Sequence, residues 1–250
     1  MNKNIKISII TVSFNSAKTI EKTIQSVLEQ TYDNVEYIII DGNSNDDTVD
    51  IIKKYENNIT KVISETDQGL YDAMNKGIKL ASGDIIGILN SDDTFYNNEV
   101  LTDIANFHLK NNIDASIGNI VQHKNGKIVR VYNSRNWKPE KLKVGFMPPH
   151  PSIFFKKELF EKFGYYRLDF ISGADYELVT RFFLKNNLTY KYSEITTTSM
   201  STGGISSSGF KSYRLISSEI IRLLKMNDLS FSSFKIHFRI VWKIKGLFNL

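Results

Sequence analysis

Asp84-Ile85-Ile86-Gly87-Ile88-Leu89-Asn90-Ser91-Asp92-Asp93 is the stretch on which the fold turns. An apolar run that ends abruptly in two adjacent carboxylates reads as a buried strand delivering acid groups to its carboxyl edge. In open α/β sheets that edge is where ligands bind. Neighbouring Asp side chains repel each other unless a cation or a set of donors holds them, so a hard, oxygen-preferring ion such as Mg2+ or Mn2+ is their natural partner. Taken alone, Asn90-Ser91-Asp92-Asp93 also reads as a solvated turn, because Asn, Ser and Asp dominate turns. The flanking sequence decides between the two.

Upstream, Ile5 to Val12 becomes continuously apolar, as expected of a strand covered on both faces, and Ser13-Phe14-Asn15-Ser16 breaks it. Ile20, Ile24, Val27 and Leu28 then fall on one face of a helix over residues 17–30. Val35 to Ile40 is a second buried strand ending at Asp41-Gly42-Asn43-Ser44, after which Asn45 or Asp46 can cap a helix reaching Tyr55. Lys61 to Ser64 is a short third strand. Gly69 to Ala81 carries the cleanest helical period, with Leu70, Ala73, Met74, Gly77, Ile78 and Ala81 on one stripe, and Gly83 stops it. Such alternation of strand and helix predicts a mostly parallel sheet with helices on both faces.

Beyond Asp93 the alternation ceases, and an antiparallel, irregular half is expected. Glu99 to Leu109 reads as a helix, and strands Ala115 to Val121 and Lys127 to Tyr132 flank the hairpin signal Lys124-Asn125-Gly126. Met147-Pro148-Pro149-His150-Pro151 is a loop, Ser152 to Phe155 a strand, Lys156 to Phe163 a short helix, and Asp175 to Asn186 a helix with Leu178, Val179, Phe182 and Phe183 inward. Tyr190 to Thr198 reads as a strand, and the Ser- and Gly-rich stretch Ser199 to Gly209 as a mobile connection. The division expected is one α/β unit over 1–210, itself split into a first half (1–95) and a second half (96–210), followed by a basic, aromatic helical tail over 211–250.

The chain has 250 residues, 41% of them hydrophobic, which suffices for one large α/β domain with a buried core. Cysteine is absent, excluding thiol catalysis, disulfides and Cys-based zinc sites. A net charge of +5 permits anionic partners without selecting among them. No long apolar core or small-residue cleavage site follows Met1, and no run of eighteen apolar residues occurs, so a cytoplasmic protein without a spanning helix is expected. Neither Gly-x-x-x-x-Gly-Lys-Ser/Thr nor Gly-x-Gly-x-x-Gly follows the first strand, which argues against a P-loop NTPase and a dinucleotide dehydrogenase.

The blocks Ile9 to Asn15, Ser26 to Tyr32, Ile40 to Thr48, Asp67 to Gly77 and Asn90 to Asp93, taken in order and spacing, resemble those of glycosyltransferase family 2 over about the first 95 residues. The resemblance implies the GT-A-type fold of nucleotide-diphospho-sugar transferases and an inverting transfer of one sugar from a nucleotide-diphosphate sugar to an acceptor hydroxyl. It places Val12, Phe14 and Asn15 beside the nucleobase and ribose, with Phe14 replacing a common Tyr, and Asp41 on the base. Asn90 and Asp92 lie by the ribose and metal, and Asp93, helped by Asp92, holds a divalent cation, Mn2+ or Mg2+. Asp67 precedes its helix and can contact the nucleotide; Lys76 can neutralise phosphate or simply be a solvated lysine.

In Ser172-Gly173-Ala174-Asp175-Tyr176-Glu177-Leu178, the resemblance makes Asp175 the base that takes the acceptor's proton, beside the plainer reading that it caps its helix. His150 matches a family position that touches acceptor or donor phosphate, although a lone loop His is also structural. The implied setting is a lipid-linked glycan acceptor in bacterial capsule, O-antigen or exopolysaccharide synthesis. Residues 211–250 interleave Phe234, Ile236, Phe238 and Trp242 with Arg214, Arg222, Lys225, Lys235 and Arg239, a pattern that suits a membrane surface, packing on the chain's own domain or an oligomer contact. The rivals are a sugar-1-phosphate nucleotidyltransferase, whose basic Gly-rich loop is missing from Ser13 to Lys18, and a nucleotide- or glycan-binding module with a decayed site. Nucleic acid is not an expected partner, since no recognised binding motif accompanies the charge.

Overall fold

The computed structural model describes residues 4–124, 126–201 and 209–245. Asn125 of the expected turn, residues 202–208 of the expected mobile connection, and Leu247 and Phe248 of the tail lie outside them. In chain order the first half comprises β1 (Ile7–Ser13), α1 (Ile20–Leu28), β2 (Val35–Asp41), α2 (Thr48–Lys53), β3 (Lys61–Ser64), α3 (Leu70–Leu80) and β4 (Ile85–Ile88). These four strands are mutually parallel in the order β3-β2-β1-β4.

Strand alternation sorts the core into two layers. Ile10, Val12, Ile38 and Ile40 pack with Met74 and Ile78 of α3, whereas Ile7, Ile9, Tyr37 and Ile39 pack with Ile20 and Ile24 of α1. Every residue of β1 is buried, as a strand with helices on both faces must be. Gly77 lets α3 settle on β1, because a Cβ there would run into the Ile10 side chain. The expected stripe of α3 is buried at Ala73, Met74, Gly77 and Ile78, with Ala81 just beyond the helix, but at its start Leu70 is exposed and Tyr71 is buried instead, with Asn75 also inward.

The apolar run of β4 ends before Asp93. Leu89 N–H still donates to Ile10 O, but Asp93 N–H then donates to Asn90 O at 3.1 Å and closes a turn. Asp93 instead opens β5 (Asp93–Phe95), a short strand absent from the sequence reading. There follow α4 (Val100–Asn111), β6 (Ala115–Lys124), β7 (Lys127–Tyr132), β8 (Ile153–Lys156), α5 (Glu158–Phe163) and α6 (Ala174–Thr180), which runs on as a π-type turn over Arg181–Lys185. β9 (Tyr190–Ser201), α7 (Gly209–Met226) and α8 (Ser233–Lys245) complete the described chain.

The sheet order is β3-β2-β1-β4-β8-β6-β9-β5, with β7 paired to β6. The expected hairpin of β6 and β7 is present. β8 and β5 are antiparallel to their neighbours, but β9 runs parallel to β6, which local sequence did not announce. The architecture is thus a mixed α/β sheet whose parallel half is the one the apolar runs predict.

Helices α7 and α8 lie against this body. Ile220, Leu223, Leu224 and Ile236 are buried in the same core as Leu178, Val179 and Phe182. Arg222 pairs with Asp169 at 2.5 Å and covers the Phe170 ring, and Arg239 is buried beside Gly145. Two of the basic residues assigned to a surface stripe are therefore turned onto the protein. Phe234 and Phe238 remain exposed and stack on each other, ring centres 4.2 Å apart. No helix among the described residues is long and apolar enough to cross a membrane.

Candidate active site

Register brings Ser13, Asp41 and Ser64 into one row across the carboxyl ends of β1, β2 and β3. Asp41 is fully buried, and its carboxylate accepts from Ser13 Oγ at 3.0 Å, Ser64 Oγ at 2.7 Å, and Ser44 through both N–H at 2.9 Å and Oγ. So satisfied, it ties three strand ends and the following loop into one rim. In this arrangement the Asp41 side chain has no exposed surface. Val12 lies in the core beneath the rim.

Asn15 adopts φ 49°, a left-handed conformation that Asn tolerates, and its side chain accepts from Asn45 N–H while its own N–H donates to Ser44 Oγ. That turn presents Phe14 to solvent, 63% exposed. Across from it, Gly42 leaves space that Asp67 Oδ2 and the Phe14 ring both border; a Cβ there would stand 2.7 Å from Asp67 Oδ2 and 3.4 Å from the ring. Asp67 Oδ1 accepts from Gly69 N–H at 2.8 Å, and Oδ2 makes no hydrogen bond among the described residues. An exposed aromatic ring and a carboxylate oxygen without a hydrogen bond among the described residues thus border the same space at Gly42. Lys76 is ion-paired with Glu65 at 2.8 Å and Asp72 at 3.5 Å and donates to Thr66 O.

The acidic loop is fastened to the same edge by a hydrogen bond between Ser91 and Ser16 at 2.8 Å. Asp92 is exposed and Asp93 is 1% exposed. Thr23 Oγ1 holds the Asp93 carbonyl at 2.7 Å, and Asn90 Nδ2 reaches Asp93 Oδ2 at 3.3 Å. Asp93 Oδ1 and Asn90 Oδ1 are buried with no hydrogen-bond partner. Burial, reinforced by the neighbouring Asp92, pushes the Asp93 carboxyl up to about 8. Orphaned acceptors and a destabilised carboxylate are what a hard cation would relieve, so the donor set fits Mg2+ or Mn2+. Among the described residues no group of three or more His, Cys, Asp or Glu could enclose a metal unaided. A shell of one or two carboxylates completed by substrate phosphates is the usual arrangement for such ions.

Asp175 sits in the first turn of α6. Its Oδ1 accepts from Tyr176 N–H at 2.7 Å and Tyr71 O–H at 3.4 Å, while Oδ2 makes no hydrogen bond among the described residues. Burial pushes its carboxyl up to about 6, with Glu219 adding to the rise and the Tyr176 N–H, the Tyr71 O–H and its own backbone N–H opposing it. Tyr71 stacks on Tyr166, whose backbone is clamped at both N–H and C=O by the buried Asn75 side chain. His150 Nε2 lies 2.6 Å from Tyr166 Oη, and burial lowers the imidazole to about 4, so His150 is neutral and buttresses Tyr166. Phe14 and Asp67 border the same space at Gly42, the loop bearing Asp92 and Asp93 is tied to the turn after β1 through Ser91 and Ser16, and Asp175 is tied to the start of α3 through Tyr71.

Sequence reasoning missed Tyr71 and Glu219. The signal for the second was present: Glu219 is the lone acid of α7 and shares a face with Ile216, Ile220 and Leu223, an apolar setting that a solvated Glu avoids.

The family model "Glycosyl transferase family 2" matches residues 8–171. An uncharacterized glycosyltransferase of Mycobacterium tuberculosis is 34% identical over 177 residues, 70% of this chain and 68% of the relative. The Escherichia coli UDP-Glc:alpha-D-GlcNAc-diphosphoundecaprenol beta-1,3-glucosyltransferase WfaP is 30% identical, with 96% of this chain and 94% of WfaP covered. Among solved structures, S. aureus TarS 1–349 in complex with UDP-GlcNAc superposes with a TM-score of 0.68 at 22% identity, covering 87% of this chain and 67% of that one. The mannosyltransferase PcManGT from Pyrobaculum calidifontis, in complex with GDP-Man and Mn2+, gives 0.65 at 16% identity, covering 97% and 73%. With the fold, the acidic edge and the family match in agreement, this chain is a member of glycosyl transferase family 2, built on the GT-A-type fold.

Proposed function

We propose that the protein moves a single sugar from a nucleoside diphosphate sugar to an acceptor hydroxyl with inversion at the anomeric carbon. The observation that carries this reading is Asp175, a carboxylate with one oxygen anchored, the other unbonded, and an affinity for protons raised by burial. A base of that kind takes a proton from a hydroxyl as it attacks. The acceptor O–H proton passes to Asp175 Oδ2, the acceptor oxygen forms a bond to the anomeric carbon, and the bond from that carbon to the diphosphate oxygen breaks. Phe14 offers its face to the base, and Asp67 Oδ2 is an acceptor for a base N–H. Asp41 acts through the rim it holds together. Asp93 and Asp92 would hold a divalent cation, which supplies positive charge to the departing diphosphate when bound.

WfaP, by its name, uses a diphosphoundecaprenol-linked acceptor, and this supports a lipid-linked glycan as acceptor here, in bacterial surface polysaccharide assembly at the inner face of the plasma membrane. The exposed Phe234 and Phe238 pair, with Lys235 beside it, is the surface we assign to the bilayer. Phe234→Ser combined with Phe238→Ser is expected to lower the fraction sedimenting with anionic vesicles; undiminished sedimentation contradicts that assignment.

The reaction itself is tested by offering UDP-, GDP-, CDP- and dTDP-sugars with Mn2+ and a lipid diphosphate-linked N-acetylhexosamine, and reading the new linkage by NMR. A product of inverted anomeric configuration is expected. A retained configuration would contradict the proposal.

A further inference from the structure

We infer that Glu219, on α7 and beyond the stretch matched by the family model, is the positioning residue that fixes where Asp175 stands. The inference rests on the reading of Asp175 as base. Glu219 is 6% exposed, and its two oxygens accept separately from the N–H groups of Ile171 at 2.7 Å and Ser172 at 3.0 Å. Acceptance at both oxygens is the pattern of a carboxylate. No cation neutralises it among the described residues: Arg222, one turn on, pairs with Asp169, and Arg181 pairs with Glu177. A carboxylate buried without a counter-ion persists only where hydrogen bonds replace its lost water, and here both come from the segment leading into α6.

The segment is anchored before Ile171 by the buried Phe170 and the Arg222–Asp169 pair and after Gly173 by the buried Ala174; between them Glu219 supplies the side-chain contact. Ile171 is 75% exposed and Ser172 is partly exposed. Gly173 follows, and a Cβ on it would stand 3.0 Å from Glu219 Oε2 and 3.2 Å from Glu219 Cβ, so the backbone there is seated directly on the Glu219 side chain. The next two residues are Ala174, which opens α6, and Asp175. Glu219 thus contacts three consecutive residues, Ile171 to Gly173, separated from the base by Ala174 alone. The tail helix is part of the catalytic unit through this contact.

Glu219 also acts on Asp175 through charge. The groups facing Asp175 are Tyr71 from α3, Tyr166 with His150 behind it, Tyr176 on α6 itself, the Glu177 and Arg181 pair further along, and Glu219 from α7. Of these, Glu219 contributes the negative charge that disfavours the Asp175 carboxylate. Removing that charge favours the carboxylate and moves the acid limb of activity to lower pH.

The test compares Glu219→Gln, Gly173→Ala and Asp175→Asn with the parent enzyme in the same transfer assay. Gln keeps the volume but has one acceptor oxygen for two N–H groups, and its amide N–H2 opposes the second. For Glu219→Gln the expected result is a kcat lower by on the order of 10²-fold, the cost of a misplaced catalytic group, with donor KM unchanged and the acid limb of kcat shifted to lower pH. Gly173→Ala, whose backbone φ of −114° accepts Ala, pushes on the carboxylate from the other side and is expected to lower kcat in the same direction. A fall in kcat with an unmoved limb in Glu219→Gln makes Glu219 merely structural and overturns the inference. So does a parental kcat in Gly173→Ala, which decides the matter even if Glu219→Gln does not fold. Normal turnover by Asp175→Asn defeats the base assignment instead, whereas an inactive Asp175→Asn beside fully active Glu219→Gln and Gly173→Ala leaves that assignment standing and removes only the role of Glu219.

Discussion

Asp175→Asn is expected to lower kcat by about 10²–10⁴-fold, the usual contribution of a positioned general base, while donor KM and donor-induced stabilisation stay at the parental level. The amide keeps the size of the side chain and can still accept from Tyr176 N–H, so the helix start is preserved. What it loses is the ability to take a proton. In the parent, kcat should rise with pH through the region around 6, because burial has lifted the Asp175 carboxyl to about 6 and only the carboxylate accepts the acceptor's proton. The residual activity of Asp175→Asn should lack that limb. For stability the sign is opposite. An acid whose folded-state pKa is raised favours the folded state most when protonated, so its contribution is present below about 4 and is lost as pH rises to about 6. Turnover at the parental rate in Asp175→Asn would remove the base from the account.

Asp93→Ala separates folding from function in the other direction. Asp93 Oδ1 is buried without a partner, and such a group destabilises the fold it sits in. The ligand-free variant is therefore expected to unfold at the parental temperature or above it. Catalysis should fall by at least about 10²-fold, as when a group stabilising developing charge is removed, and the dependence of donor KM on Mn2+ should disappear. A variant that unfolds at lower temperature but retains cation-dependent turnover would show that Asp93 serves the fold and leaves the donor diphosphate alone.

The parallel half of the sheet was legible because its strands are continuous apolar runs and α3 keeps helical spacing through Ala73, Met74, Gly77 and Ile78. Asp92 and Asp93 stood out because they end an apolar run, where a carboxylate is costly unless a cation or a donor engages it, whereas Asp175 was marked only by resemblance to the family's acidic helix start. What escaped the sequence reading depends on distant residues. Asp41 is satisfied by serines at positions 13, 44 and 64, and nothing local to residue 41 shows that they converge. Lys76 meets Glu65 and Asp72 only once β3 and α3 are side by side. The parallel pairing of β9 with β6 spans some 75 residues of sequence, and β5 exists only because β9 is there to pair with it. Glu219 is the sharpest case, since its partners Ile171 and Ser172 lie almost 50 residues away and are backbone groups, which leave no trace in side-chain pattern.

The central claim is that the acidic edge holds a nucleoside diphosphate sugar through a divalent cation. It is tested most directly by thermal unfolding of parent and Asp93→Ala with UDP-, GDP-, CDP- and dTDP-sugars, each with and without Mn2+. A ligand that binds only the folded state stabilises it by about 2.7 kcal/mol at a hundred times its Kd. The account predicts a stabilisation by one donor nucleotide that requires Mn2+ and vanishes in Asp93→Ala. A stabilisation indifferent to Mn2+, or one equally large in Asp93→Ala, would contradict it.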